Sequence, residues 1–99
     1  MLPSSSSNGD GKKKILFVDD KPDMTSLFRL SLIRAGFDID TFNDPSLALK
    51  SFKPNEYDLL LLDIIMPGID GFELYKQLKE MDPQAKVCFL TASEMHRTE

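Results

Sequence analysis

The chain has 99 residues, of which 41% are hydrophobic and 28% charged, as expected for one small globular domain. Its formal net charge of −4 is uneven, because residues 1–14 carry +2 and the remainder −6. An acidic body argues against direct nucleic-acid binding, which depends on Lys and Arg. There is no transmembrane-length apolar run, no signal peptide, and only one cysteine, Cys88, so no intrachain disulfide. We therefore expect a cytoplasmic protein without membrane contact.

The first half of the chain alternates strand and helix patterns. Residues 1–12 are rich in Ser and Gly and predict a flexible tail. Residues 15–18 are an apolar run typical of a strand that is covered on both faces. Met24, Leu27, Phe28, Ser31 and Ala35 then recur at helical spacing up to Gly36. Alternation over residues 37–42 predicts an edge strand, and Asp44-Pro45 predicts the start of a short helix that ends near Phe52.

The second half repeats this alternation. Residues 59–62, four leucines, predict a second buried strand that ends at Asp63. A helix follows with Leu74, Tyr75, Leu78 and Met81 on one face, closed by Asp82-Pro83. Residues 87–90 predict a third buried strand. The order of these elements favours an α/β fold with a parallel, doubly wound sheet and helices on both faces.

Polar residues follow the three apolar strands: Asp19 and Asp20, then Asp63, then Thr91. Ligands bind at the carboxyl edge of such sheets, so these side chains converge if the strands are neighbours. Clustered carboxylates need a counter-charge, for which Mg²⁺ is suited, and a carboxylate can also accept a phosphoryl group. The Thr91 hydroxyl and the backbone N–H of Ala92 suit a phosphoryl oxygen.

Each of these residues also has a simpler structural interpretation. Asp20 or Asp23 could cap the first helix, and Asp63 and Thr91 could belong to turns. Cys88 is expected to be a small buried hydrophobe. Three strands that end in Asp-Asp, Asp and Thr-Ala are nevertheless hard to assign jointly to caps.

Three segments, Ile-Leu-Phe-Val-Asp-Asp (15–20), Leu-Leu-Leu-Leu-Asp-Ile-Ile-Met-Pro-Gly-Ile-Asp-Gly (59–71) and Phe-Leu-Thr-Ala-Ser (89–93), resemble the signatures of response-regulator receiver domains. The resemblance implies a flavodoxin-like sheet of order 2-1-3-4-5, with the fifth strand and last helices missing from this chain. Residues 13–99 are then a receiver domain that is incomplete at its C-terminus.

The resemblance also implies roles for the residues at the strand ends. Asp63 is the phosphoacceptor and a Mg²⁺ ligand. Asp20 binds Mg²⁺ directly, Asp19 binds it through water or orients the site, and Ile65 offers its backbone carbonyl. Thr91 is the hydroxyl residue that reports phosphorylation, and Ala92 is the small residue beside it. The Lys of the fifth strand cannot be assigned.

The implied function is phosphoryl acceptance in a phosphorelay by a domain that takes part in its own phosphoryl transfer and autodephosphorylation, rather than that of an enzyme. The implied partners are a sensor histidine kinase or phosphotransfer protein and an output domain or partner beyond this chain. An open sheet edge also makes a homodimer an expectation. The alternatives are a receiver-like interaction module that needs no phosphorylation and, less favoured, a phosphohydrolase with an aspartate nucleophile.

Overall fold

A computed structural model describes residues 11–90, in which strands and helices alternate in the predicted order. The elements are β1 (Lys14–Val18), α1 (Pro22–Arg34), β2 (Asp38–Phe42), α2 (Pro45–Ser51), β3 (Leu59–Asp63), α3 (Gly71–Met81) and β4 (Val87–Leu90). The predicted tail falls largely on residues 1–10, and Thr91 and Ala92 follow residue 90, so these predictions lie outside the described residues. Within residues 11–90, no helix is both long enough and apolar enough to cross a bilayer.

The four strands form one parallel sheet in the order β2-β1-β3-β4. This order confirms the predicted doubly wound, flavodoxin-like arrangement. Val18 at the end of β1 is in register with Phe42 of β2 and Leu62 of β3. The carboxyl ends of the strands therefore lie along one edge of the sheet.

The core has two parts, one on each face of the sheet. Leu16, Val18, Leu60 and Leu62 pack against α2 and α3, whereas Ile15, Phe17, Ile39 and Leu61 pack on the face covered by α1. Side chains alternate between the faces of a strand, so β1 and β3 need apolar residues at every position. The continuous apolar runs in the sequence reflect this two-sided burial.

The prediction of a third buried strand is wrong for β4. Its residues are half-buried or exposed, and Cys88, which was expected to be buried, is exposed. Within the described residues β4 pairs only with β3, so it forms the edge of the sheet and lacks the lateral cover that β1 and β3 have.

Two helix details also differ from the predictions. Leu27 and Met81, which were grouped with the apolar residues of their helices, are exposed, at 58% and 39%. Successive helical residues point about 100° apart, so Leu27 faces outward when its neighbour Phe28 packs on the sheet. The residue at the N-cap of α1 is Lys21, without a side-chain cap, rather than Asp20 or Asp23.

Candidate functional site

Three carboxylates meet at the carboxyl edge of the sheet. Asp19 and Asp20 directly follow β1, and Asp63 is the last residue of the adjacent strand β3. One oxygen from each side chain lies within 4.8 Å of one oxygen from each of the others. The Asp19 and Asp63 side chains are buried, with 5% and 3% exposed, whereas that of Asp20 is 28% exposed. The site therefore opens to solvent on the Asp20 side.

Backbone hydrogen bonds hold the end of β1 in place. The Asp19 N–H donates to the Phe42 carbonyl at 3.0 Å, and the Asn43 side-chain amide donates to the Asp19 carbonyl at 2.8 Å. The same amide group donates to the Thr25 hydroxyl at 3.0 Å and so links the β2–α2 loop to α1. Sequence reasoning missed Asn43, because its position before Asp44-Pro45 signals only the start of a helix.

The loop between β3 and α3 is held equally closely. The Ile64 N–H donates to the Leu90 carbonyl at 2.9 Å, and the Gly71 N–H donates to the Ile64 carbonyl at 2.8 Å. Asp70 caps α3 by accepting from the Glu73 N–H at 2.9 Å. Ile65 lies in this loop with an exposed side chain, so its predicted contribution rests on its backbone carbonyl.

Gly71 is required at the start of α3 because the chain passes very close to the end of β3. A Cβ atom at this position would overlap the Asp63 carbonyl oxygen and lie 2.9 Å from both the Asp63 carbonyl carbon and the Ile64 Cα. These neighbours are backbone atoms, which cannot rotate away as a flexible side chain can. The first turn of α3 and the backbone of Asp63 therefore form one tightly packed unit.

The electrostatics of the site reflect burial and crowding of like charges. Burial raises the pKa of Asp19, the nearby Asp63 charge adds to this, and the Lys21 backbone N–H, which donates to Asp19 at 2.9 Å, opposes it. The Lys21 ammonium lies 3.3 Å from Asp20, 3.4 Å from Asp63 and 3.8 Å from Asp19. Although partial burial lowers the pKa of Lys21, its contacts with Asp20 and Asp63 raise it overall.

The donor set fits a hard divalent cation. Mg²⁺ prefers an octahedron of oxygens at about 2.0–2.1 Å, which places the oxygens of one shell about 3–4 Å apart. Carboxylate oxygens within 4.8 Å of one another reach such positions through small side-chain movements. A cation held there would remain accessible to water and to a phosphoryl oxygen, because Asp20 faces solvent.

Comparisons with known proteins identify the family. The family model of the response regulator receiver domain matches residues 15–99. The chain belongs to this family. It is 38% identical over 82 residues to the alkaline phosphatase synthesis transcriptional regulatory protein PhoP of Bacillus subtilis, an alignment that covers 83% of this chain and 34% of PhoP. This receiver thus spans about a third of the length of that relative.

Solved receiver structures share the fold. The response regulator TrrA of Thermotoga maritima, crystallised with Mg²⁺-BeF, is 40% identical with a TM-score of 0.73, over 86% of this chain and 74% of TrrA. TrrA in complex with the histidine kinase ThkA gives 40% identity and a TM-score of 0.75, over 88% of this chain and 75% of that one. The predicted receiver identity and fold are confirmed.

Proposed function

We propose that this receiver accepts a phosphoryl group from a histidine kinase on Asp63 in a Mg²⁺-dependent reaction. The observation that carries this proposal is the convergence of Asp63 with Asp19 and Asp20 at the carboxyl edge of the sheet. A single aspartate at a strand end would be an ordinary turn residue. Three clustered carboxylates, two of them buried, carry more charge than the single Lys21 ammonium can offset, and a bound divalent cation would offset the rest.

The chemistry is a transfer between two protein side chains. A carboxylate oxygen of Asp63 attacks the phosphorus of a phosphohistidine, an O–P bond forms and the P–N bond breaks. The departing imidazole keeps the electron pair of that bond and takes up a proton. The close packing of the Asp63 backbone against Gly71 fixes the attacking group, and orientation of this kind lowers the barrier to transfer.

The metal-binding residues in this proposal are Asp20 and Asp63 as direct ligands, Asp19 through water or as an orienting group, and Ile65 through its carbonyl. A bound Mg²⁺ offsets the negative charge that develops on the transferred group. From the resemblance, the Thr91 hydroxyl and the Ala92 N–H are proposed to contact the phosphoryl oxygens.

Further features of the proposal concern the cellular context. The proposed donor is a sensor histidine kinase or a phosphotransfer protein, since TrrA is bound to such a kinase in the complex with ThkA. The output is proposed to lie in another domain or partner, because PhoP is a transcriptional regulatory protein of much greater length. We also propose slow hydrolysis of the acyl phosphate by the chain itself and a location in the cytoplasm.

Phosphorylation with a small donor tests the proposal directly. Phosphoramidate with Mg²⁺ should add one acid-labile phosphoryl group to the parent chain and to Asp23→Asn, a control in which an exposed aspartate outside the cluster loses its charge. Asp63→Asn should remain unmodified. Modification of Asp63→Asn at the parent rate would disprove the assignment.

Beryllofluoride separates the proposal from the alternative of an interaction module that needs no phosphorylation. Because this group mimics a bound phosphoryl group, its addition with Mg²⁺ should shift the amide signals of Asp63 and Ile64. An unchanged spectrum at saturating beryllofluoride would favour the alternative.

A further inference from the structure

Lys21 occupies an unusual position for a lysine at the start of a helix. It follows the acidic pair directly, lies at the N-cap of α1, and extends its side chain back over the three carboxylates. A cation at a helix N-terminus is unfavourable with respect to the helix dipole. The acidic site, rather than the helix, therefore accounts for the position of this ammonium group.

The geometry of Lys21 is that of a shared counter-ion. Its ammonium lies at 3.3, 3.4 and 3.8 Å from one oxygen of each carboxylate. A strong charge-assisted hydrogen bond to a single partner is shorter, about 2.7–2.9 Å. The group thus sits over the cluster and offsets part of its charge, shared among the three carboxylates, and its side chain is half-exposed.

We propose that Lys21 is a tethered counter-cation that offsets part of the charge of the acidic site before metal binding and that Mg²⁺ must displace. This inference rests on the metal dependence in the proposed function and adds a residue that tunes it. Because the ammonium contacts the same Asp20 and Asp63 oxygens that would hold Mg²⁺, a bound ion would come close to it, and two cations at short range repel strongly. Binding of Mg²⁺ therefore requires Lys21 to give up these contacts, and this lowers the apparent Mg²⁺ affinity.

Mg²⁺ titration followed by amide NMR signals tests this displacement. Lys21→Gln should bind Mg²⁺ about three- to tenfold more tightly than the parent chain, and the difference should shrink in high salt, which screens charges. Lys21→Arg keeps the positive charge and should stay within about twofold of the parent. Lys50→Gln, which removes a charge from the last turn of α2 at the other end of the sheet, should also stay within about twofold. Equal or weaker Mg²⁺ binding by Lys21→Gln, relative to Lys50→Gln, would overturn the proposal.

A second measurement without metal tests the counter-ion role itself. In excess chelator, Lys21→Gln should have a lower urea midpoint than the parent chain. The same substitution should lower the midpoint less when it is made in Asp63→Asn, which has one carboxylate fewer. An equal effect in both backgrounds would show that Lys21 is not coupled to the site.

These two measurements separate the inference from the proposed function. If the parent chain shows no Mg²⁺-dependent shifts at Asp19, Asp20 or Asp63, the metal dependence of the proposed function is wrong and displacement by Mg²⁺ is wrong with it. If the parent binds Mg²⁺ and Lys21→Gln binds it no better, only the inference about Lys21 is wrong.

Discussion

Gly71→Ala should impair the phosphoacceptor without replacing any side chain of the acidic site. The added Cβ would overlap the Asp63 carbonyl oxygen and lie 2.9 Å from two backbone carbons, where ordinary contacts begin near 3.4 Å. Either the first turn of α3 or the end of β3 must therefore move by about half an ångström or more. Such a shift also stretches the 2.8 Å hydrogen bond from the Gly71 N–H to the Ile64 carbonyl.

The expected size of the effect follows from these contacts. Overpacking of a tight site costs about 1–3 kcal/mol, and a weakened backbone hydrogen bond adds about 1 kcal/mol. Replacing glycine by alanine in a helix recovers up to about 1 kcal/mol. We expect a net loss of about 1–3 kcal/mol in unfolding free energy, and a 10- to 100-fold slower phosphorylation, because displacement of a reacting group by about 1 Å can cost 100-fold in rate.

Urea unfolding measures the loss of stability. Phosphoramidate phosphorylation, under conditions in which both proteins are folded, measures the change in rate. Gly36→Ala is the matched control, because its Cβ meets nothing within 4 Å but its φ of +98° is unfavourable for alanine. That control should lose about 1 kcal/mol of stability and keep the parent phosphorylation rate. If Gly71→Ala is as stable as the parent and is phosphorylated as fast, the close approach does not position Asp63.

Two further predictions concern other parts of the fold. Tyr57 donates to Asp40 at 2.7 Å, and burial, followed by this hydrogen bond, raises the pKa of the phenol above its ordinary value of 10.0. The protonated phenol therefore stabilises the folded state fully below about pH 10, and this contribution is lost as the pH rises further. In urea unfolding, Tyr57→Phe should be about 1 kcal/mol less stable than the parent at pH 8, and the difference should be smaller at about pH 10.5. A difference that does not change with pH would contradict this. The second prediction is that the 99-residue chain self-associates. Among residues 11–90, β4 leaves one edge of the sheet unpaired, and a groove of about 450 Å³ lined by Ile15, Leu59 and other residues opens on the α1 face. Sedimentation equilibrium should therefore detect dimers. A monomer at high micromolar concentration would refute this prediction.

The parts of the fold that sequence reasoning found are those encoded by local patterns. The apolar runs of β1 and β3 predict two-sided burial, and the Asp residues that follow them predict a polar edge. The apolar run of β4 predicts the same two-sided burial, yet β4 lies at the edge of the described sheet. A strand's own sequence does not state how many neighbours it has, so the apolar pattern alone could not predict this difference. The open edge was implied only by the resemblance, in which the fifth strand is missing from this chain.

Long-range pairs were equally inaccessible to sequence reasoning. Lys14 is buried and forms an ion pair with Glu56 at 2.8 Å, 42 residues away. Burial of this lysine depends on β1 lying between β2 and β3, which brings Asp40 and Glu56 to the same end of the sheet. Asn43 and Lys21 were overlooked for a related reason, since the fold alone brings the Asp19 carbonyl to Asn43 and the Asp63 carboxylate to Lys21.

The acidic site lowers the stability of the folded chain, and this makes the stability sensitive to cation binding. Two nearly buried carboxylates beside a third repel one another, so any cation that binds them only in the folded state stabilises that state. A cation at ten times its dissociation constant contributes about 1.4 kcal/mol, a large share of the stability of a small domain. The Asn43 side-chain amide links the Asp19 backbone carbonyl to the Thr25 hydroxyl of α1, and Gly71 at the start of α3 packs against the Asp63 backbone. The backbones of the two buried aspartates are therefore held by the elements that carry α1 and α3.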